Sequence, residues 1–235
     1  MKRQSTAAVW LVSLAAILVA SVQILPAQDF TVRTKDQDGK TAIHYVSRNA
    51  VRDVASNPVE FDIIYRLDTG KIIRLNHHAK TYAEITPAEA RQQTEKKAGM
   101  SAQQAMMRRS GNNSWTVSVT KIGAGETIAG YATEKYATKT PITEGEVWVA
   151  PALEAPPAYY DISNSYTAAQ TGSMGQIGKE LQARQVKGFP LKMVGTATMP
   201  MMKGMRFTQV AISVEKAPIP PSTFDPPAGY RKVAQ

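Results

Sequence analysis

The feature that most limits how this chain can fold is the alternation over residues 59–67. Val59, Phe61, Ile63, Tyr65 and Leu67 stand between Glu60, Asp62 and Arg66. A period of two places these apolar side chains on one face of an extended strand, a spacing that no helix face reproduces. Asp68-Thr69-Gly70 follows, with glycine at the left-handed position of a three-residue hairpin turn, and residues 71–75 return as a second strand. Asn76-His77-His78-Ala79 makes the next turn and residues 80–85 a third strand. Upstream, residues 41–47 fit a strand entered from the polar turn Asp36-Gln37-Asp38-Gly39. The first half therefore reads as an antiparallel meander.

The period then changes. Thr86-Pro87-Ala88-Glu89 is a capping box, with Thr86 as the N-cap, proline in the first helical position and Glu89 in the third. Residues up to about 109 are rich in helix formers, with Gly99 a point of kinking and Gly111-Asn112-Asn113 a stop. Strand patterns resume at 114–122, 131–140 and 144–149. Residues 159–169 and 179–185 are helical in pattern, loosened between by Gly172, Gly175 and Gly178. The last strands are 191–198 and 205–215. The proline-rich end, 218–227, cannot join a central strand because proline lacks the ladder donor. It is expected to cross the sheet with Phe224 as an apolar anchor.

At the N-terminus, Lys2 and Arg3 precede an apolar run over residues 7–25 that ends at Pro26-Ala27. This is the pattern of a secretory signal cleaved after Ala27, with an uncleaved membrane anchor as the alternative. Residues 28–235 are then one exported domain, periplasmic or secreted. The 235 residues contain no cysteine, which excludes disulfides, thiolate metal sites, a cysteine nucleophile and a lipidated cysteine anchor. The formal charge is +9, and Lys2 and Arg3 leave with the signal. A basic exterior suits an anionic membrane surface, whereas nucleic acid is not expected outside the cytoplasm.

No constellation of residues calls for chemistry. His77 and His78 fall in a hairpin turn, where adjacent side chains diverge, and read as solvated; His44 reads as a surface residue on the polar side of a strand. No Gly-x-Ser-x-Gly elbow supports a serine triad. Residues 172–180 depart from a phosphate-binding loop at Ser173 and Glu180, residues 123–128 from a dinucleotide fingerprint at Ile128, and residues 34–45 from a calcium loop at both ends. Met199, Met201, Met202 and Met205 carry thioethers that could hold copper(I). With no histidine nearby, they read instead as adaptable apolar lining. No metal, no cofactor and no enzymatic activity are expected.

Several segments of the second half carry a family resemblance: residues 128–136 (Ile-Ala-Gly-Tyr-Ala-Thr-Glu-Lys-Tyr), 145–150 (Gly-Glu-Val-Trp-Val-Ala), 188–193 (Gly-Phe-Pro-Leu-Lys-Met), and the ending from Ser213 through Phe224 to Tyr230. Together they resemble an uncharacterised family of exported bacterial proteins, in turn similar to the periplasmic lipoprotein carriers and localisation factors. The resemblance implies an α+β fold in which a curved antiparallel half-barrel wraps around a few helices, with an apolar concave face. It carries over no functional residue. The implied function is non-enzymatic binding of a hydrophobic ligand: a lipid, an acyl chain or a lipoprotein. The alternative is an envelope regulatory or scaffold protein that binds a protein partner, its groove filled by its own helices. The candidate ligand-binding residues are the alternating apolar side chains Phe61, Ile63, Tyr65, Trp148, Met193, Phe207 and Ile212.

Overall fold

A computed structural model describes residues 29–55, 61–98, 117–171 and 173–234. The signal segment, Gly99 and Trp115 lie outside the described residues. Strands β1 (Phe30–Asp36), β2 (Thr41–Val46), β3 (Ala50–Val54), β4 (Asp62–Arg66), β5 (Lys71–Asn76) and β6 (Thr81–Ile85) form successive antiparallel hairpins. Gly70 takes φ +67 in the β4–β5 turn, as the hairpin requires. Helix α1 (Pro87–Ala98) follows. At its start Glu89 accepts from the Thr86 amide at 2.7 Å and the Glu89 amide donates to Thr86 Oγ1 at 3.2 Å, completing the capping box.

A second meander comprises β7 (Ser118–Ala124), β8 (Glu134–Lys139), β9 (Thr143–Ala150), β10 (Phe189–Ala197) and β11 (Arg206–Lys216). Helices α2 (Pro157–Thr171) and α3 (Ser173–Ala183) interrupt it between β9 and β10. The two meanders join where β1 pairs with β11, Phe30 opposite Lys216. A short β12 (Arg231–Lys232) adds to β6 in parallel. Among the described residues the result is one twelve-stranded sheet, in the order β12-β6-β5-β4-β3-β2-β1-β11-β10-β9-β8-β7.

This corrects the expected α+β half-barrel wrapped around helices. The sheet dominates, it ends in two open edges at β12 and β7, and the described residues contribute three α-helices to twelve strands. Three of the strands, β1, β3 and the two-residue β12, escaped the sequence pattern. Phe30, Val32, Ala50 and Val51 are buried, but Arg33, Lys35, Arg52 and Asp53 interrupt the apolar runs that would have revealed β1 and β3.

Both faces of the first meander are covered. On the inner face, which bears the helices, Phe30, Val32, Val46, Val51 and Tyr65 share a core with Ala90 of α1 and Tyr166 of α2. On the outer face, Ala50, Ile64, Ile73 and Leu75 pack against Phe224. Phe224 closes a short 3-10 turn, Pro221–Phe224, in the segment that crosses the sheet as expected. Polar anchors hold this strap in place. Arg52 donates to the Thr223 carbonyl (3.0 Å) and to Asp62 (2.6 Å), and His77 lies between Asp62 (3.0 Å) and the Tyr230 hydroxyl (2.7 Å). His77 is thus a structural bridge and not the solvated turn residue expected. At the sheet edge Glu84 meets Lys232 at 2.8 Å and Lys71 at 3.2 Å, and these bonds hold its carboxyl below the usual range.

Candidate functional site

On the inner face of the second meander, strand alternation brings Tyr136, Val147, Val149 and Met193 to one side. Helix α3 meets them with Ile177 and Leu181, which an i,i+4 spacing puts on one helical stripe, and Val186 follows. Helix α2 lies beside α3 and turns Tyr159, Tyr160 and Ser163 toward the same space. The helices do not fill the face. Between them and the sheet remains a cavity of about 1160 Å³, reaching from Tyr65 of β4 to Phe207 of β11.

The floor near Phe207 is shaped by two glycines in register. Gly145 stands opposite Gly195, and Gly195 opposite Phe207. A Cβ on Gly195 would fall 1.9 Å from the Phe207 ring, and one on Gly145 would fall 2.3 Å from the Val194 carbonyl oxygen. The missing side chain at Gly195 makes room for the Phe207 ring, and that at Gly145 lets the β9 and β10 backbones approach closely.

Polar residues also border the cavity, and several of them are satisfied within the protein. Tyr160 donates to the Gly188 carbonyl at 2.7 Å. Asp53 pairs with His44 at 2.8 Å, Glu144 with Lys139 at 2.6 Å and Glu146 with Lys135 at 2.7 Å. Tyr65 stacks edge-on against Tyr159 (5.4 Å between ring centres) and Tyr166 (6.4 Å). Burial pushes the Tyr65, Tyr159, Tyr160 and Tyr166 phenols up, and the Asp53 carboxylate adds to the effect on Tyr65 and Tyr159. A phenol whose folded-state value is raised stabilises the fold below the unfolded value of about 10 and loses that contribution as pH rises through the folded value. These four tyrosines are therefore expected to stay protonated in alkali until the protein unfolds. An alkaline titration should show a late step in tyrosinate absorbance that coincides with loss of near-ultraviolet circular dichroism.

The sequence-derived candidates divide. Tyr65, Met193 and Phe207 line the cavity. Ile63 packs into the neighbouring core. Phe61 is 38% exposed, with the Arg74 guanidinium 4.3 Å from its ring, and Ile212 is 52% exposed. Trp148 is buried on the opposite face of β9 from Val147, its ring between the ammonium groups of Lys135 (4.8 Å) and Lys192 (4.5 Å). Met202 and Met205, expected as lining, are exposed at the β10–β11 turn. His44, read as a surface residue, instead lies on the inner face, paired with Asp53 and ring-on-edge to Phe189 at 5.8 Å. Alternation missed the helical lining, Tyr159, Ile177 and Leu181. Tyr159 and Leu181 fall in the expected helices 159–169 and 179–185, but α3 begins at Ser173, so Ile177 lies in the stretch that the glycines were expected to loosen. Among the described residues no group of His, Asp or Glu side chains could hold a metal ion. No helix among them is long and apolar enough to cross a membrane.

Sheet and cavity together define a class: a sheet-rich domain that encloses apolar space beneath a helical pair. A family model described as Domain of unknown function (DUF4412) matches residues 47–230, and the chain belongs to this family. The resemblance read from the second half of the sequence is met at that level. No curated protein matches the chain. Among solved structures it is similar to PNGF-II in two crystal forms, at 13% and 11% identity, with a TM-score of 0.46 in each case. These matches cover 89% of this chain and 31% and 32% of that one. It is also similar to MucB in complex with MucA(peri), at 12% identity and a TM-score of 0.34, covering 86% of this chain and 55% of that one. The chain thus spans about a third of PNGF-II and about half of MucB.

Proposed function

We propose that this protein is a non-enzymatic binding protein of the bacterial envelope that holds an apolar ligand, a lipid or an acyl chain (free or on a lipoprotein), between its sheet and helices α2 and α3. The observation that carries this reading is the cavity itself, about 1160 Å³ and walled chiefly by Val147, Val149, Leu181, Met193 and aromatic rings. Apolar walls with a few convergent polar groups are what small-ligand sites share. Each methylene taken from water contributes about 0.8 kcal/mol, a factor of about four in affinity. Roughly ten buried methylenes contribute about 8 kcal/mol before the losses of association, the scale of a micromolar complex.

Displacement of an environment-sensitive apolar fluorophore by a homologous series of acyl chains tests this. Affinity should rise about fourfold per methylene and level off once the cavity is full. Failure to bind any apolar probe would overturn the reading. Trp148 is no reporter for this titration, because it faces away from the cavity; a bound fluorophore or the tyrosines must serve.

The second reading is an envelope scaffold whose groove is filled by its own helices. The position of α2 and α3 on the inner face favours it, and the size of the space left beside them favours the first. A stable partner captured from envelope extract, with no lipid co-purifying, would support the second.

A further inference from the structure

Resting on that reading, we propose that the ligand is an anionic amphiphile whose acyl chain fills the cavity and whose acidic headgroup sits at one mouth, between Arg48 and Lys187. Both residues line the cavity. The strand register brings them to the same end. Val46 lies opposite Phe30, the Phe30 ring contacts the Phe189 ring at 5.6 Å, and Phe189 lies opposite Ala150. Arg48 follows Val46 by two residues and Lys187 precedes Phe189 by two, so the two side chains flank the point where β9 ends and β10 begins.

The charges around the cavity are not equivalent. The carboxylates of Glu144 and Glu146 are each matched by a lysine within 2.7 Å, and Asp53, set back from the mouth on β3, is hydrogen-bonded to His44 at 2.8 Å. Arg48 and Lys187 are exposed and, among the described residues, have no ion pair. Among the described residues Glu154 is the one carboxylate lining this mouth without an ion pair, and its charge adds to the rise of the Tyr160 phenol. Two unmatched cations against one unmatched carboxylate leave the mouth positive. The far end is different, lined by Thr138, Thr143 and Phe207 with no charged side chain among these three. A charged headgroup held at a solvent-facing mouth keeps part of its hydration while the chain leaves water, so the arrangement avoids burying a charge.

The test compares dodecanoate, dodecanol and dodecyltrimethylammonium, three probes with one chain and different heads, by displacement of the same fluorophore at low ionic strength. The carboxylate should bind about tenfold more tightly than the alcohol, since each exposed cation contributes a few-fold, and the ammonium probe most weakly. Added salt should shrink the gap. Combining Arg48→Gln with Lys187→Gln should close it, whereas Lys203→Gln, at the β10–β11 turn, should leave it. Equal binding of the three probes, or a gap that survives the double substitution, would overturn the headgroup assignment alone. Failure of all three to bind would instead overturn the cavity reading on which it rests.

Discussion

Phe224→Ala is expected to lower the stability of the protein by about 3–5 kcal/mol, the usual range for truncating a buried phenylalanine. The ring is 6% exposed and is the apolar centre of the strap, packed on Ala50, Ile64, Ile73 and Leu75. Its removal leaves a cavity that only the partly buried Ile219 and Tyr230 of the same segment and Tyr45 and Tyr82 of the sheet border. For a chain of this size the melting temperature should fall by about 10 °C. The loss should also be local before it is global. With the strap loosened, amide exchange should quicken first in β12 and β6, which the strap joins, and later in β1 and β11 at the centre of the sheet. Uniform acceleration along the sheet would show that the strap is not a separate layer. The polar anchors give an independent comparison. Asp62 is 3% exposed and carries both Arg52 and His77, so Asp62→Asn should destabilise the strap through its charge network with the Phe224 contact intact.

Gly188→Ala is expected to cost about 3 kcal/mol or more, because two effects combine there. Gly188 takes φ +112, a region that L residues rarely enter. A Cβ would also fall 2.2 Å from the Ala150 carbonyl oxygen and 2.8 Å from Pro151 Cα, both backbone atoms that cannot turn aside. The strand junction between β9 and β10 must then open, and the bond from the Tyr160 hydroxyl to the Gly188 carbonyl goes with it. Gly70→Ala separates the two effects. Gly70 has φ +67 and open space where a Cβ would stand, so backbone strain of about 1 kcal/mol is all it should lose. Thermal melts of the two variants should differ by about 5 °C or more, and equal melts would show that the junction yields freely. Because Gly188 borders the cavity mouth, its variant should also bind apolar probes more weakly than the Gly70 variant.

Much of the local structure was legible in the residues. The alternation around Ile63 and Tyr65, the Asp68-Thr69-Gly70 turn, the Thr86–Glu89 capping box and the anchoring role of Phe224 all act over a few residues, where sterics and hydrogen bonding leave little choice. The lining of the cavity was legible only in part. A period of two states that a strand has two faces, but not what will cover each. Ile63 and Ile64 are adjacent and both packed into cores, one under the helices and the other under the strap. Trp148 and Val147 are likewise adjacent and separated by the thickness of the sheet, so only Val147 reaches the cavity. His44 reads from its strand pattern as a surface residue, yet its pairing with Asp53 lets it sit on the inner face.

Taken alone, the sequence determined most of the strands, the turns, the start of the first helix and the crossing tail, because each is set by contacts between near neighbours. The tertiary structure decided the pairing of β1 with β11, the dominance of one open sheet over the α+β half-barrel, and the space left beneath α2 and α3. Those depend on which faces meet across long stretches of chain. Burial of apolar surface rewards any such meeting that excludes water, and no local pattern records the one that formed.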